Sequence, residues 1–109
     1  MRQEDLLELF RSIVEEDAII ARLYRHFHLE KHYALKELDT IIQRGVTLGE
    51  LQITHTSDAN QLFTNIDWAL DNSYQEILAT NQDQYVKLIF GKVPALPEFA
   101  KIFVDANNA

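Results

Sequence analysis

The sequence predicts an all-α fold: a bundle of about five helices around one long central helix, dimerising through its helices. Three observations carry this. Apolar residues recur at three- and four-residue steps along residues 2–16, 18–44 and 56–80, the spacing one face of a helix with about 3.6 residues per turn requires. No Gly or Pro interrupts residues 18–44, so no local breaker divides that stretch. The β-branched run near residues 51–56 is too short to imply a sheet in this company. At 109 residues the chain suits a single domain with its own core.

The first helix spans residues 2–16, with Leu6, Leu7, Leu9, Phe10, Ile13 and Val14 on one side and Glu4, Asp5 and Glu8 early, where acids favour a helix N-terminus. Asp17 is placed to cap a second helix from Ala18. Ile20, Leu23, Tyr24, Phe27, Ala34, Leu35, Leu38, Ile41 and Ile42 hold one phase to Arg44, and Lys31 alone interrupts the stripe. A single long helix is expected, the alternative being two collinear helices with a break near residues 28–31. Gly45 then serves as a C-terminal stop, and residues 45–56 are expected as a loop.

Thr56 or Ser57 caps the clearest amphipathic helix, residues 56–80, whose core face holds Ala59, Leu62, Phe63, Ile66, Ala69, Leu70, Tyr74 and Ile77. Trp68 falls almost opposite, among the uncharged Gln61, Thr64, Asn65, Asn72 and Gln75. A solvated face carries Lys and Glu. This one fits a seam with a second copy of the chain, formed by Gln61, Thr64, Trp68, Asn72 and Gln75. The alternatives are a surface aromatic or a Trp covered by the chain's own C-terminal segment. Further on, a short helix over residues 81–90 closes at Gly91. After Val93-Pro94, Pro97 opens a last helix with Leu96, Phe99, Ile102, Phe103 and Ala106 inward.

The order IIQRG, VTLGEL, polar loop and SDANQLFTNIDWALDN, across residues 35–78, resembles the C-terminal regulatory domain of tetracycline-repressor (TetR) type transcriptional regulators. That resemblance implies a dimer through a four-helix bundle and an effector pocket between helices. No helix-turn-helix sequence precedes the domain in this chain, so DNA recognition is not carried over, although LYRHF at residues 23–27 has some likeness to the end of the family's DNA-binding region. Either the chain is an excised regulatory domain or it is a relative that has lost DNA binding.

Charge and composition narrow the function. The net charge is −7, and between Gly45 and Gly91 the only Lys or Arg is Lys87, which argues against a phosphate-binding surface. The absence of Cys removes thiol chemistry and thiolate metal sites. No run approaches the roughly 18 apolar residues of a membrane span, and residues 1–10 lack a signal peptide's pattern, so a soluble, cytoplasmic protein is expected.

His28 and His32 lie four apart with Tyr24 one turn earlier, but two imidazoles do not complete a metal site, and neither metal nor cofactor is expected. The carboxylate pairs Glu15/Glu16 and Asp67/Asp71 suit charged helix faces, and Ser12, Ser57 and Ser73 stand in no nucleophile-elbow context. No catalytic residue is expected.

A small apolar effector would sit between the long helix and the Ala59 face, touched by Tyr24, Phe27, His28 and Phe63. The expected function is thus ligand sensing and dimerisation in a TetR-like regulator, without DNA binding. The alternative is a helical oligomerisation or adaptor protein with no ligand.

Overall fold

The computed structural model describes residues 1–15, 18–69 and 74–80. Helix α1 (Gln3–Glu15) leads through strand β1 (Ala18–Ile19) into helix α2 (Ile20–Leu23), which widens into a π-helix (Tyr24–Glu30). Helix α3 (Leu35–Thr47) follows, then strands β2 (Leu51–His55), β3 (Asp58–Phe63) and β4 (Gln75–Ala79). The strands form one antiparallel sheet in the order β1-β4-β2-β3. The fold is therefore α/β, which corrects the all-α bundle expected from the sequence and implied by the TetR resemblance.

The largest correction falls on residues 56–80, expected as a helix; the described part of it forms a turn, β3, an irregular stretch over residues 64–69, and β4. In β4 the inward residues are Gln75, Ile77 and Ala79, a period of two. The sequence hides that period because Gln75 points in although polar, while Leu78 on the other face is apolar. Register completes the face: Ile77 pairs with both Ala18 and Ile53, Ala79 with Leu51, and Ile53 with Phe63. With one residue slipped, every one of these would turn to the opposite face.

Residues 18–44 are not a single helix. After the π-helix, Lys31 to Ala34 form a break in which His32 takes φ 65°, a left-handed conformation uncommon for non-Gly residues, though His enters it more readily than most. The break lies close to the two-helix alternative, and distant contacts hold it without any Gly or Pro. Gly45 is no stop either; it is buried inside α3, and Gly49 at φ 73° makes the turn into β2. The segment expected as a loop contains that strand. The Asp17 cap and the helices expected over residues 81–90 and from Pro97 lie outside the described residues.

The core forms where the helices meet one face of the sheet. Leu6, Leu9, Phe10 and Ile13 of α1 join Ile20, Leu23 and Phe27, Leu38, Ile41 and Ile42 of α3, and Leu51, Ile53, Ile77 and Ala79 of the strands. α1 lies against β1 and β4, while α3 lies against β2 and the π-helix. Removing these side chains from water at about 25 cal/mol per Å² is what opposes the entropy of ordering the chain. Among the described residues no helix is long and apolar enough to cross a membrane.

Candidate ligand-binding cleft

A π-helix closes its backbone bonds over one more residue than an α-helix and usually survives only where other contacts hold it. Here the Lys31 amide donates to the His26 carbonyl at 3.1 Å and the Tyr33 amide to the Phe27 carbonyl at 2.9 Å. Phe27 is fully buried beneath. The side chains around it tie the segment to α1. Lys31 Nζ lies 2.5 Å from Asp5 Oδ1 and 2.9 Å from Glu8 Oε2. The Tyr33 hydroxyl donates to Asp5 and accepts from the Arg2 amide. His26 stands between two carboxylates, with Nε2 2.7 Å from Glu8 Oε1 and Nδ1 3.0 Å from Glu30 Oε2.

These contacts set the charges. Burial pushes the Asp5 carboxyl up, but hydrogen bonds from Lys31 and Tyr33 outweigh it and hold the group below its ordinary value. The Lys31 hydrogen bond holds Glu8 low as well, against burial and with help from His26. The hydrogen bond to Asp5, with that to Glu8, raises the Lys31 ammonium, and burial followed by the Asp5 bond raises the Tyr33 phenol. Glu8 thus enters the adjacent cleft as a carboxylate with a partner on each oxygen.

That cleft, of about 230 Å³, lies between α1 and the α2/π-helix segment and is lined by Glu8, Ser12, Ala18, Arg22, Leu23, His26 and Phe27. Its walls are rungs of residues four apart, which stack on a helix face. Glu8 and Ser12 come from α1, Arg22 and His26 make a polar rung, and Leu23 and Phe27 make the apolar floor. Ser12 Oγ donates to the Glu8 carbonyl at 3.0 Å, so its lone pairs remain available to a donor. Arg22 is exposed and has no ion-pair partner among the described residues.

Of the ligand-contact residues expected from the sequence, Phe27 lines this cleft. Tyr24 and His28 pair with each other on the π-helix, ring centroids 5.1 Å apart, and His28 Nδ1 donates to the Tyr33 carbonyl at 2.8 Å. Phe63 lies on β3 beside Tyr74, 5.8 Å between centroids. Glu8, Ser12, Arg22 and His26 were missed as cleft residues. Their signal in the sequence is the polar spacing 8/12 and 22/26 beside the apolar stripes of two helices. Among the described residues no cluster of three or more His, Cys, Asp or Glu is arranged to hold a metal ion.

Of the residues expected at a dimer seam, the four that are described, Gln61, Thr64, Trp68 and Gln75, do not share a helix face. Gln61 and Thr64 are exposed on β3 and just after it. Trp68 is half-buried and donates from Nε1 to Asp39 Oδ1 at 3.2 Å. Gln75 is buried, its Oε1 accepting from the Asp67 amide at 2.8 Å and its Nε2 donating to the Asn65 carbonyl at 3.2 Å. Asn72 lies outside the described residues. The chain matches no family model, no curated protein and no solved structure.

Proposed function

We propose that this chain is a small-molecule-binding domain whose ligand enters the cleft between α1 and the π-helix. The observation that supports it is the convergence of Ser12, Arg22 and His26 above an apolar floor of Leu23 and Phe27, the mixture of an apolar surface and a few placed polar groups typical of ligand sites. A π-helix at that wall strengthens the reading, since such segments gather at functional sites. The reading keeps the ligand-binding expectation and Phe27 of its expected contacts, and moves the site away from Tyr24, His28 and Phe63 to a wall built by α1. Size limits the ligand: an apolar cavity of about 150 Å³ accommodates benzene, so the cleft suits a single ring or short branched chain with a polar head.

The test is a fragment titration followed by amide NMR. Single-ring fragments should shift Ser12, Arg22 and His26 resonances, and Ser12→Trp, which fills the cleft from its α1 wall, should abolish those shifts while leaving the spectrum folded. Shifts confined to other parts of the chain would sink the proposal.

Self-association is a second reading, favoured by the sheet's outer edge. Among the described residues β3 has no neighbour on its far side in the sheet order, and Leu62 is 60% exposed there. Its sequence, DANQLF, carries neither Lys nor Pro, the usual protection of an open edge. Pairing of β3 with its copy would cover Leu62 and bring Gln61 into the contact. Light scattering at tens of micromolar tests it: a dimer that Leu62→Lys dissociates is expected, and a wild-type monomer would exclude it.

A further inference from the structure

Arg22 gives the cleft a sign. The groups facing it carry a ledger of charge that is resolved on one side only. The Glu8 carboxylate is met by His26 Nε2 on Oε1 and by Lys31 Nζ on Oε2, so both its oxygens are occupied and its charge is neutralised within the protein. Lys31 is likewise taken up by Asp5 and Glu8. His26 is held on its other nitrogen by Glu30. The Arg22 guanidinium, one helical step before His26 on the same wall, lines the cleft with no ion-pair partner among the described residues.

We propose that the ligand is a small monocarboxylate with an apolar body, its carboxylate received by the Arg22 guanidinium and its ring or branched chain laid on Leu23 and Phe27. This rests on the cleft being the ligand site. A guanidinium presents parallel N–H donors that match the two oxygens of a carboxylate. Ser12 Oγ, whose hydrogen is committed to the Glu8 carbonyl, acts as an acceptor and so favours acids that also carry a hydroxyl or amine donor. A cationic ligand finds no free carboxylate oxygen among the described lining residues. A larger polyanion such as a nucleotide exceeds the space, because sites for drug-sized ligands run from about 300 Å³ upward.

Benzoate, benzamide and benzamidine test this, because they share one ring and nearly one shape while the head group is anionic, neutral and cationic in turn. Titrated into the full chain and followed at the Arg22 side-chain Nε–Hε and at the amides of Ser12 and His26, benzoate should bind at least about tenfold more tightly than benzamide, as a charge-assisted hydrogen-bond pair implies. Benzamidine should be weakest. Arg22→Gln should bring benzoate down to the level of benzamide and leave benzamide unchanged. Arg22→Lys should restore part of the preference, since it keeps the charge and loses the fork. Arg22 is exposed and has no ion-pair partner among the described residues, so neither variant removes a described folding contact.

Equal affinities for benzoate and benzamide, or a benzoate preference that survives Arg22→Gln, would overturn the carboxylate assignment while leaving the cleft as a binding site. Tightest binding by benzamidine would reverse the sign of the site. If none of the three perturbs the cleft residues at about 10 mM, the cleft reading falls along with the inference.

Discussion

The Lys31 ammonium lies 2.5 Å from Asp5 Oδ1, joining two residues that the sequence separates by a helix, a strand and a second helix. Tyr33 reaches the other oxygen of the same carboxylate. One buried Asp in α1 therefore fixes the chain where it leaves the π-helix, and that break positions α3. Asp5→Ala should leave the half-buried Tyr33 phenol without its acceptor and take one of two carboxylates from Lys31, which keeps Glu8, at a cost of about 1–3 kcal/mol in urea unfolding, most of it from the phenol. A loss under about 0.5 kcal/mol, the range of ordinary surface substitutions, would show that the cluster decorates the break without holding it.

The same cluster predicts how stability depends on pH. Asp5 and Glu8 are held below their ordinary values, so the stability they add is fully present above about pH 4.5 and is lost as pH falls below it. Tyr33 and Lys31 are raised, so their share is present below about pH 10 and disappears only in stronger alkali. Unfolding measured from pH 3 to pH 10 should show a plateau with an acid limb, and Asp5→Asn with Glu8→Gln should flatten that limb. An unchanged limb in the double variant would place the acid sensitivity elsewhere.

Thr54 is fully buried on β2, and its Oγ1 has no hydrogen-bond partner among the described residues. Replacing a buried hydroxyl that lacks a partner by a methyl removes a desolvation penalty while keeping the β-branched shape. Thr54→Val should stabilise the protein by about 1 kcal/mol. Thermal unfolding checks it, and a lowered Tm would mean that the hydroxyl has an acceptor or a water.

Gly49 adopts φ 73° with open space around its missing Cβ. The cost of Gly49→Ala is then one of backbone conformation alone, about 1 kcal/mol, while Gly49→Asn should cost less because Asn tolerates the left-handed region. Equal losses in the two variants would contradict that explanation.

How much of this was legible depends on where each element's cause lies. α1 carries its own pattern, with Leu6, Leu9, Phe10 and Ile13 on one face and Asp5 early, and the expected span differs from the observed one by a residue at each end. The sheet's causes are distant: Ile77 meets Ile53 and Ala18, and no local window contains both partners. Gln75 deepened the error. A buried Gln looks like a surface residue until the loop amide of Asp67 that it receives is known. The cleft was half legible, because Phe27 announces itself by apolar phase. The placing of Arg22 and Ser12 on one cleft requires α1 to lie beside the α2/π-helix segment, which sequence spacing alone does not show.

Intermolecular nuclear Overhauser effects from bound benzoate would report whether the cleft between α1 and the π-helix receives a ligand. Ring protons of benzoate should show contacts to the side chains of Ala18, Leu23 and Phe27, the apolar lining of that cleft. Contacts to Ile66 and Trp68 instead, which line a separate groove beside α3, would show that the cleft between α1 and the π-helix is not the binding site.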